Sequence, residues 1–269
     1  MTKTPDLLRE FEEKGFLHLK ALISTAACDQ LIARMRDLVA RFAHQDHNKI
    51  FDTGPHTHSK DRYFLDSAQK ISFFFDKNSS PKHAQNNTFK ALNKVGHALH
   101  DLCPVYRRFS HQEKFYELMK TLGHRKPQLV QSMFIFKQPF FGDAVPAHQD
   151  ATFLHTDPPS VIGLWIALED AHEENGCLWV LPHAHKSVLK ERFVKAGNNL
   201  IFKDQKKTNW PADKFIPLRA QKGDIIVLHG LLPHSSKQNR SSKTRFAYTL
   251  HFVDRLSYYL PDNWLSICR

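Results

Sequence analysis

The sequence predicts a mainly-β domain with flanking helices, an α+β arrangement in which the first half supplies helices and the second a β-sandwich or barrel. Two patterns predict it. Helical three- and four-residue spacing of apolar residues is confined to the region before about residue 125, whereas residues 126–255 break into short runs rich in β-branched and aromatic side chains, bounded by Pro, Gly or polar turns. A third observation sets the scale: 269 residues, 41% hydrophobic and 12% aromatic with 21 Phe, supply apolar surface for a sizeable core, and no repeat, low-complexity tract or linker divides the chain. A single domain over 1–269 is expected, with a helical part over about 1–125 and a β core over about 126–255.

Following Ser24 and Thr25, candidate N-caps, the residues Ala27, Leu31, Met35, Leu38 and Phe42 recur at helical spacing and predict an amphipathic helix. Residues 44–87 are polar and irregular apart from the apolar run 71–75, a candidate edge strand. A second helix is expected over about 89–102, stopped by Pro104, and a third from the capping box Ser110-His111-Gln112-Glu113 to Gly123. Strands are expected over 129–136, 161–168, 177–181, 224–229 and 245–253.

Several classes are disfavoured by composition. No run approaches the roughly 20 apolar residues of a membrane helix, and the opening MTKTPDLLREFEEKGF lacks the apolar stretch of a secretory signal. Cys28, Cys103, Cys177 and Cys268 lie far apart with no Cys-x-x-Cys pair, which argues against thiolate metal sites and a disulfide framework. A soluble protein of a reducing compartment, cytoplasmic since residues 266–269 form no peroxisomal address, is expected. The net charge of +11 admits a nucleic-acid partner, but Lys and Arg are scattered and interleaved with acids, the pattern of a solvated surface that attracts small anions.

Non-haem iron(II) in oxygenases is held on one face by two imidazoles and one carboxylate, with adjacent positions left open. The spacing His-x-Asp/Glu followed by a distant His is weak by itself here, because 18 His and 27 acids in 269 positions produce roughly two such pairs by chance. It occurs at His44/Asp46, His111/Glu113, His148/Asp150 and His172/Glu174. The His111 pair opens a helix, where i and i+2 diverge, and the His44 and His172 pairs sit in loops. His148 and Asp150 stand in extended-looking sequence, PAHQDATF, where i and i+2 share a face and can enter one cavity.

The second imidazole has two candidates, His229 and His234. His234 is followed by Ser236, Asn239 and Arg245, and Arg245 opens a run in which Phe246, Tyr248, Leu250 and Phe252 alternate with Arg245, Ala247, Thr249 and His251. Polar groups facing inward on a core strand are costly unless they line a site. Two neutral imidazoles and a carboxylate leave Fe2+ with one positive charge, which the 1-carboxylate of a chelating 2-oxoacid cancels; the far carboxylate of 2-oxoglutarate then suits a fork-shaped guanidinium such as Arg245, with the Ser236 hydroxyl as a further donor.

At these residues the chain resembles the phytanoyl-CoA dioxygenase family of 2-oxoglutarate oxygenases. The resemblance is carried by YFLDSAQKISFFF, LNKVGHALH, VQSMFIFKQPFFGDAVPAHQDATFL, GLWIALEDAHEENGCLWVLPHAHK and GDIIVLHGLLPHSSKQNRSSKTRFAYTLHF, in the family's order over about 63–252. It implies a double-stranded β-helix (a jelly roll, cupin-like), Fe(II) on His148, Asp150 and His234 rather than His229, and Arg245 and Ser236 on 2-oxoglutarate. It also implies co-substrate contacts from Lys94, Met133 and Trp165, whose ordinary alternatives are a solvated helix face for Lys94 and plain core for the other two. O2 as oxidant and ascorbate as reductant follow from the same resemblance, as does hydroxylation of a small-molecule or acyl-type substrate with release of succinate and CO2. Asp150 stands where halogenating relatives carry a small residue, which favours hydroxylation or a related oxidation.

The resemblance lapses over 194–215, a segment expected to shape the substrate entrance. The competing readings are a nucleic-acid- or protein-directed oxygenase, a zinc hydrolase, and a non-catalytic jelly-roll metal-binding module; no general base for a hydrolase is evident, and the ligand set with Arg245 is complete. His44, His47, His56 and His58 read as solvated loop histidines rather than a second metal site, and His183 and His185 as part of a turn. Substrate identity and oligomeric state are not legible.

Overall fold

Two-residue alternation through the second half of the chain builds the sheets on which the rest is mounted. The computed structural model describes residues 4–42, 50–51, 62–79, 88–197, 199–206 and 210–267. Strands run in the order Phe16–Leu19 (β1), Ile50–Phe51 (β2), Ile71–Asp76 (β3), Leu92–His97 (β4), Pro127–Ile135 (β5), Val145–His148 (β6), Thr156–Asp157 (β7) and Ile162–Ala167 (β8). They continue with Leu178–Val180 (β9), Arg192–Ala196 (β10), Asn199–Lys203 (β11), Ile216–Leu218 (β12), Ile225–His229 (β13), His234–Ser236 (β14), Ala247–Asp254 (β15) and Tyr258–Tyr259 (β16). The helices are Thr4–Lys14 (α1), Thr25–Arg41 (α2), Arg62–Asp66 (α3), Thr88–Ala91 (α4), Leu99–Leu102 (α5), Pro104–Ser110 (α6) and Glu113–Thr121 (α7).

An eight-stranded sheet, β1-β13-β8-β15-β5-β4-β3-β2, faces a four-stranded sheet, β12-β9-β14-β6, and β10 and β11 form a separate hairpin. Alternation fixes what each face carries. On the outer face of the large sheet, Ile162, Leu164, Ile166, Val227, Tyr248, Leu250 and Phe252 pack under Leu31 and Met35 of α2, Tyr106 of α6 and Phe115 and Met119 of α7. On the inner face, Trp165, Ala167, Ile226, Leu228 and Ala247 meet Leu178, Val180 and Leu218 of the small sheet. That intersheet core closes one part of the sandwich, and a cavity fills another. This is the jelly-roll, mainly-β architecture expected from the sequence.

The N-cap expectation holds at α2, where Ser24 Oγ accepts from the Ala27 N–H at 3.3 Å. Elsewhere pairing overrides local propensity. The helix expected over 89–102 is instead β4 between two short helices, because β4 hydrogen-bonds with β3 on one side and β5 on the other. Pro104 starts α6 rather than ending a helix, as its fixed φ suits the first turn. The capping box does not form: Ser110 ends α6 and shares a 2.8 Å hydrogen bond with Tyr248 Oη, while Gln112 caps α7 without a side-chain bond. The run 71–75 is β3, covered on its outer side by parallel β2 and therefore not an edge. α1, which the sequence reading leaves out, buries Phe11 in the helix-side core.

One tight junction joins the first loop to the large sheet. Gly223, at φ +95°, donates to Ala167 O at 2.8 Å and accepts from Ile23 N at 3.0 Å, and a Cβ there would lie 2.2 Å from the Ile23 carbonyl oxygen. The left-handed backbone alone costs a non-glycine residue about 1–2 kcal/mol, before the clash is relieved. Gly223→Ala is therefore expected to lower stability by at least about 2 kcal/mol, a fall in melting temperature of roughly 4–8 °C; thermal unfolding measures it, and an unchanged melting point would contradict this account of the junction.

Candidate metal centre

β6 and β14 are neighbours in the small sheet, and their register sets His148 directly opposite His234. The two imidazole rings lie 4.3 Å apart. Past His148 the chain stays extended through Gln149 (φ −117°, ψ 134°) before a 3-10 turn, Asp150–Thr152, so His148 and Asp150 still point to one side. Asp150 Oδ1 is 3.7 Å from His148 Nε2 and 3.6 Å from His234 Nε2, and ligand atoms of the three side chains lie within 4.8 Å of one another.

The hydrogen bonds assign the tautomers. His148 Nδ1 lies 2.9 Å from Pro146 O and His234 Nδ1 3.0 Å from Leu232 O. A carbonyl can only accept, so both Nδ1 atoms carry the proton and both Nε2 lone pairs face the meeting point. Burial, with His234 nearby, pushes His148 down to about 4, so its imidazole is neutral at ordinary pH. Burial pushes the Asp150 carboxyl up, but His234, His251 and His148 outweigh it and hold the group below its usual range. Two neutral nitrogens and one carboxylate on a single face form a donor set that fits a divalent transition metal with positions to spare.

Neighbouring strands shape this group. On β15, His251 Nε2 stands 3.4 Å from Asp150 Oδ2, and opposite it on β8 is Gly163. A Cβ at Gly163 would sit 2.9 Å from Asp150 Oδ2, so the glycine makes room for the carboxylate. The inner face of the large sheet then continues as cross-strand rows: Trp165, Thr249, Met133 and Gly96 in one, Ala247, Ile135 and Lys94 in the next. Arg245 follows just before β15, only 2% exposed.

Arg245 is held with part of its donor capacity unused. Its Nε donates to Gly176 O at 3.1 Å and its guanidinium lies 5.3 Å from the centroid of the Trp165 ring. Nη1 is buried with no hydrogen-bond partner among the described residues. Burial pushes the guanidinium down to about 10, which leaves it charged at neutral pH. An unmet buried donor of this kind costs stability unless an anion completes it. A carboxylate fits that need, and Ser236 lines the same cavity.

The cavity, about 420 Å³, is lined by every site residue expected from the sequence: Lys94, Met133, His148, Asp150, Trp165, His234, Ser236 and Arg245. Lys94 lies against an aromatic wall, its Nζ 5.2 and 5.1 Å from the Phe64 and Phe74 ring centroids, and burial pushes it down to about 7. It is thus on a buried strand rather than a solvated helix face. The wall runs outward from His148 through Phe153, Phe193 and Phe64 to Trp264. Phe193 and Phe202 come from the β10–β11 hairpin, which starts at Arg192, just ahead of the segment 194–215 where the resemblance lapses, and runs into it; Asp262 clamps the hairpin through Arg192 and, at 2.7 Å, Lys203.

The sequence reading missed Lys137. The signal was present, since Gln131, Met133, Ile135 and Lys137 continue one inward alternation from β5. The other His-x-acid pairs do not converge: His111 caps the end of α6 while Glu113 opens α7, and His172 lies in a turn where its N–H donates to Asn175 Oδ1. The same spacing recurs at His155 and Asp157, with Asp157 exposed. His229 packs 5.1 Å from His185, and its Nδ1 accepts from Leu231 N. His183 and His185 sit at a 3-10 turn, bonded to the carbonyls of Glu13 and Glu12. His44, Asp46, His47, His56 and His58 lie outside the described residues.

A family model described as Phytanoyl-CoA dioxygenase (PhyH) matches residues 11–247. Among curated proteins, the chain is 42% identical over 266 residues to a phytanoyl-CoA dioxygenase of Arabidopsis thaliana, covering 98% of this chain and 93% of that protein. It is 38% identical over 280 residues to phytanoyl-CoA dioxygenase domain-containing protein 1 of Mus musculus, covering 98% and 94%. Among solved structures, EctD from S. alaskensis with 2-oxoglutarate and 5-hydroxyectoine superposes with a TM-score of 0.66 at 15% identity, over 98% of this chain and 83% of that one, a likeness of fold.

His148 and His229, both pushed down to about 4 chiefly by burial, make the metal-free protein acid-sensitive. The unfolded chain takes up these protons near the ordinary histidine value of about 6.5, so the stability they contribute is complete above that pH and is lost as pH falls from there towards 4. Thermal unfolding of metal-free protein between pH 7 and 4 is expected to show a loss of about 3 kcal/mol per ring, more than about 10 °C for the two together. A flat profile across that window would refute the neutral, buried state of both rings.

Proposed function

The chain belongs to the phytanoyl-CoA dioxygenase family of 2-oxoglutarate-dependent non-haem iron dioxygenases, and we propose that it hydroxylates a small-molecule or acyl-type substrate at a centre formed by His148, Asp150 and His234. One observation carries this reading: three metal-competent side chains share one cavity with a buried guanidinium whose Nη1 has no hydrogen-bond partner among the described residues. When bound, iron and 2-oxoglutarate supply the oxidising chemistry, with O2 consumed, succinate and CO2 released and ascorbate as reductant.

The chain's own residues bind, orient and exclude. His148 and His234 offer neutral Nε2 atoms because backbone carbonyls hold their Nδ1 protons. Asp150 supplies the single negative charge, and His251 keeps the carboxylate from rotating away. Arg245 would hold the far carboxylate of the co-substrate, with the Ser236 hydroxyl as a further donor. Trp165 backs the guanidinium and, with Met133, lines the part of the cavity where the co-substrate chain would lie. Lys94 borders the same cavity from the aromatic side.

The substrate end is apolar. Phe64, Phe153, Phe193, Phe202 and Trp264 line it, which favours a hydrocarbon or ring over a phosphate backbone and keeps bulk water from the reacting carbon. No helix of the described residues is long and apolar enough to cross a membrane, and Cys28, Cys103 and Cys177 are free thiols, which supports a cytoplasmic setting.

Arg245→Ala is expected to weaken 2-oxoglutarate binding about 30-fold or more, near 2 kcal/mol for a charge-assisted pair, with iron affinity kept. His234→Ala and Asp150→Ala are expected to lose iron. Anaerobic titration with Fe(II), then with 2-oxoglutarate, measures both, and an Arg245→Ala protein that turned over 2-oxoglutarate normally would remove Arg245 from the role. Substrate-stimulated succinate formation, screened over CoA esters and small apolar metabolites, identifies the substrate class; stimulation by oligonucleotides alone would overturn the small-molecule reading.

A further inference from the structure

Lys137 is the strand neighbour of Arg245. The Arg245 N–H donates to Lys137 O at 3.0 Å, which extends the β15–β5 ladder one pair beyond Ala247 and Ile135. Residues paired in this way share a face, so both side chains enter the cavity from the same wall, and both line it. Lys137 is 2% exposed, and its Nζ donates to Ser236 Oγ at 2.7 Å and to the Asp143 carbonyl at 2.6 Å. Among the described residues no carboxylate lies within ion-pair distance of its Nζ, and the Asp143 side chain pairs with Lys77 at 2.9 Å.

Two consequences follow from donor counting. Protonated, as an arriving carboxylate would favour, Lys137 has three N–H donors and keeps one beyond these two bonds. Ser236 Oγ, already accepting from Lys137, turns its own proton elsewhere, and the open direction is the cavity it lines beside Arg245. We propose that Lys137 is a second cation of the co-substrate carboxylate site, one that commits Ser236 as a donor and adds positive charge next to Arg245. The inference rests on the 2-oxoglutarate reading given above and adds a determinant of selectivity to it.

Burial, and after it the Arg245 charge, hold the Lys137 ammonium well below its ordinary range, with Asp143, Asp76 and Cys177 acting in the opposite sense. Side-by-side cations in a closed wall are unfavourable without an anion between them, and the five-carbon diacid supplies one. Gly176 fits the same arrangement: its carbonyl accepts from Arg245 Nε, and a Cβ there would press within 3.0 Å of Lys137 Cε.

The decisive comparison uses two ligands that differ only at the far end, 2-oxoglutarate and 2-oxopentanoate, whose fifth carbon is a methyl group. Full-length protein loaded with Fe(II) is titrated anaerobically with each, followed by the visible absorption of the chelate. Wild type is expected to prefer 2-oxoglutarate by about 100-fold or more. Lys137→Met is expected to shrink that preference at least tenfold through weaker 2-oxoglutarate binding, with 2-oxopentanoate affinity changed less than about twofold. Lys137→Gln, which keeps neutral donors for Ser236 and the Asp143 carbonyl, is expected to do the same and serves if the methionine variant does not fold. Equal losses for both ligands, or an unchanged preference, would overturn the assignment by showing that Lys137 only ties the loop at Asp143 to β14. A wild type without preference would instead overturn the co-substrate reading on which the assignment rests.

Discussion

The centre depends on one cross-strand pairing, the register that sets His148 of β6 against His234 of β14. A slip of one residue would turn one imidazole out of the cavity, because successive strand residues face opposite ways. Two residues on, Ser236 shares the face of His234 by plain alternation, in regular register with β9, and enters the same cavity; the irregularity in this pairing lies in β6, between Val145 and His148. Around that pairing the fold supplies what short strands cannot: backbone carbonyls that fix both tautomers, a glycine on β8 that admits a carboxylate, and a histidine on β15 that steadies it.

Much of this was legible because period-two alternation is a property of sequence. The run from Arg245 to Phe252 declared its two faces before any fold was known, and its inward face is the one that lines the cavity. The extended character of PAHQDATF separated His148 and Asp150 from pairs of equal spacing elsewhere. What stayed illegible depended on partners distant in the chain. The sequence of β4 alternates too weakly to announce a strand, and only the flanking β3 and β5 make it one. The apparent capping box failed because Ser110 found a partner 138 residues away in Tyr248. Lys137 continued a visible alternation, but a lysine on an inward face is read as an error until Arg245, Ser236 and Asp143 are seen around it.

The cavity divides by chemistry. Near Arg245 and Lys137 it carries buried positive charge with donors directed inward; beyond the metal ligands it becomes a wall of aromatic rings. A diacid and an apolar substrate would thus be sorted to opposite sides of the metal by electrostatics and hydrophobicity before any finer recognition operates.

The β10–β11 hairpin has a different standing from the rest. It contributes Phe193 and Phe202 to the cavity yet belongs to neither large sheet, and it is fastened to the C-terminal segment through Asp262 and through the Val194–Asn263 bridge. Its length and side chains are therefore set apart from the strands that carry His148 and His234. The rim of the cavity is thus a separable module: recasting it would change the shape offered to an incoming molecule and leave the paired histidines where they are.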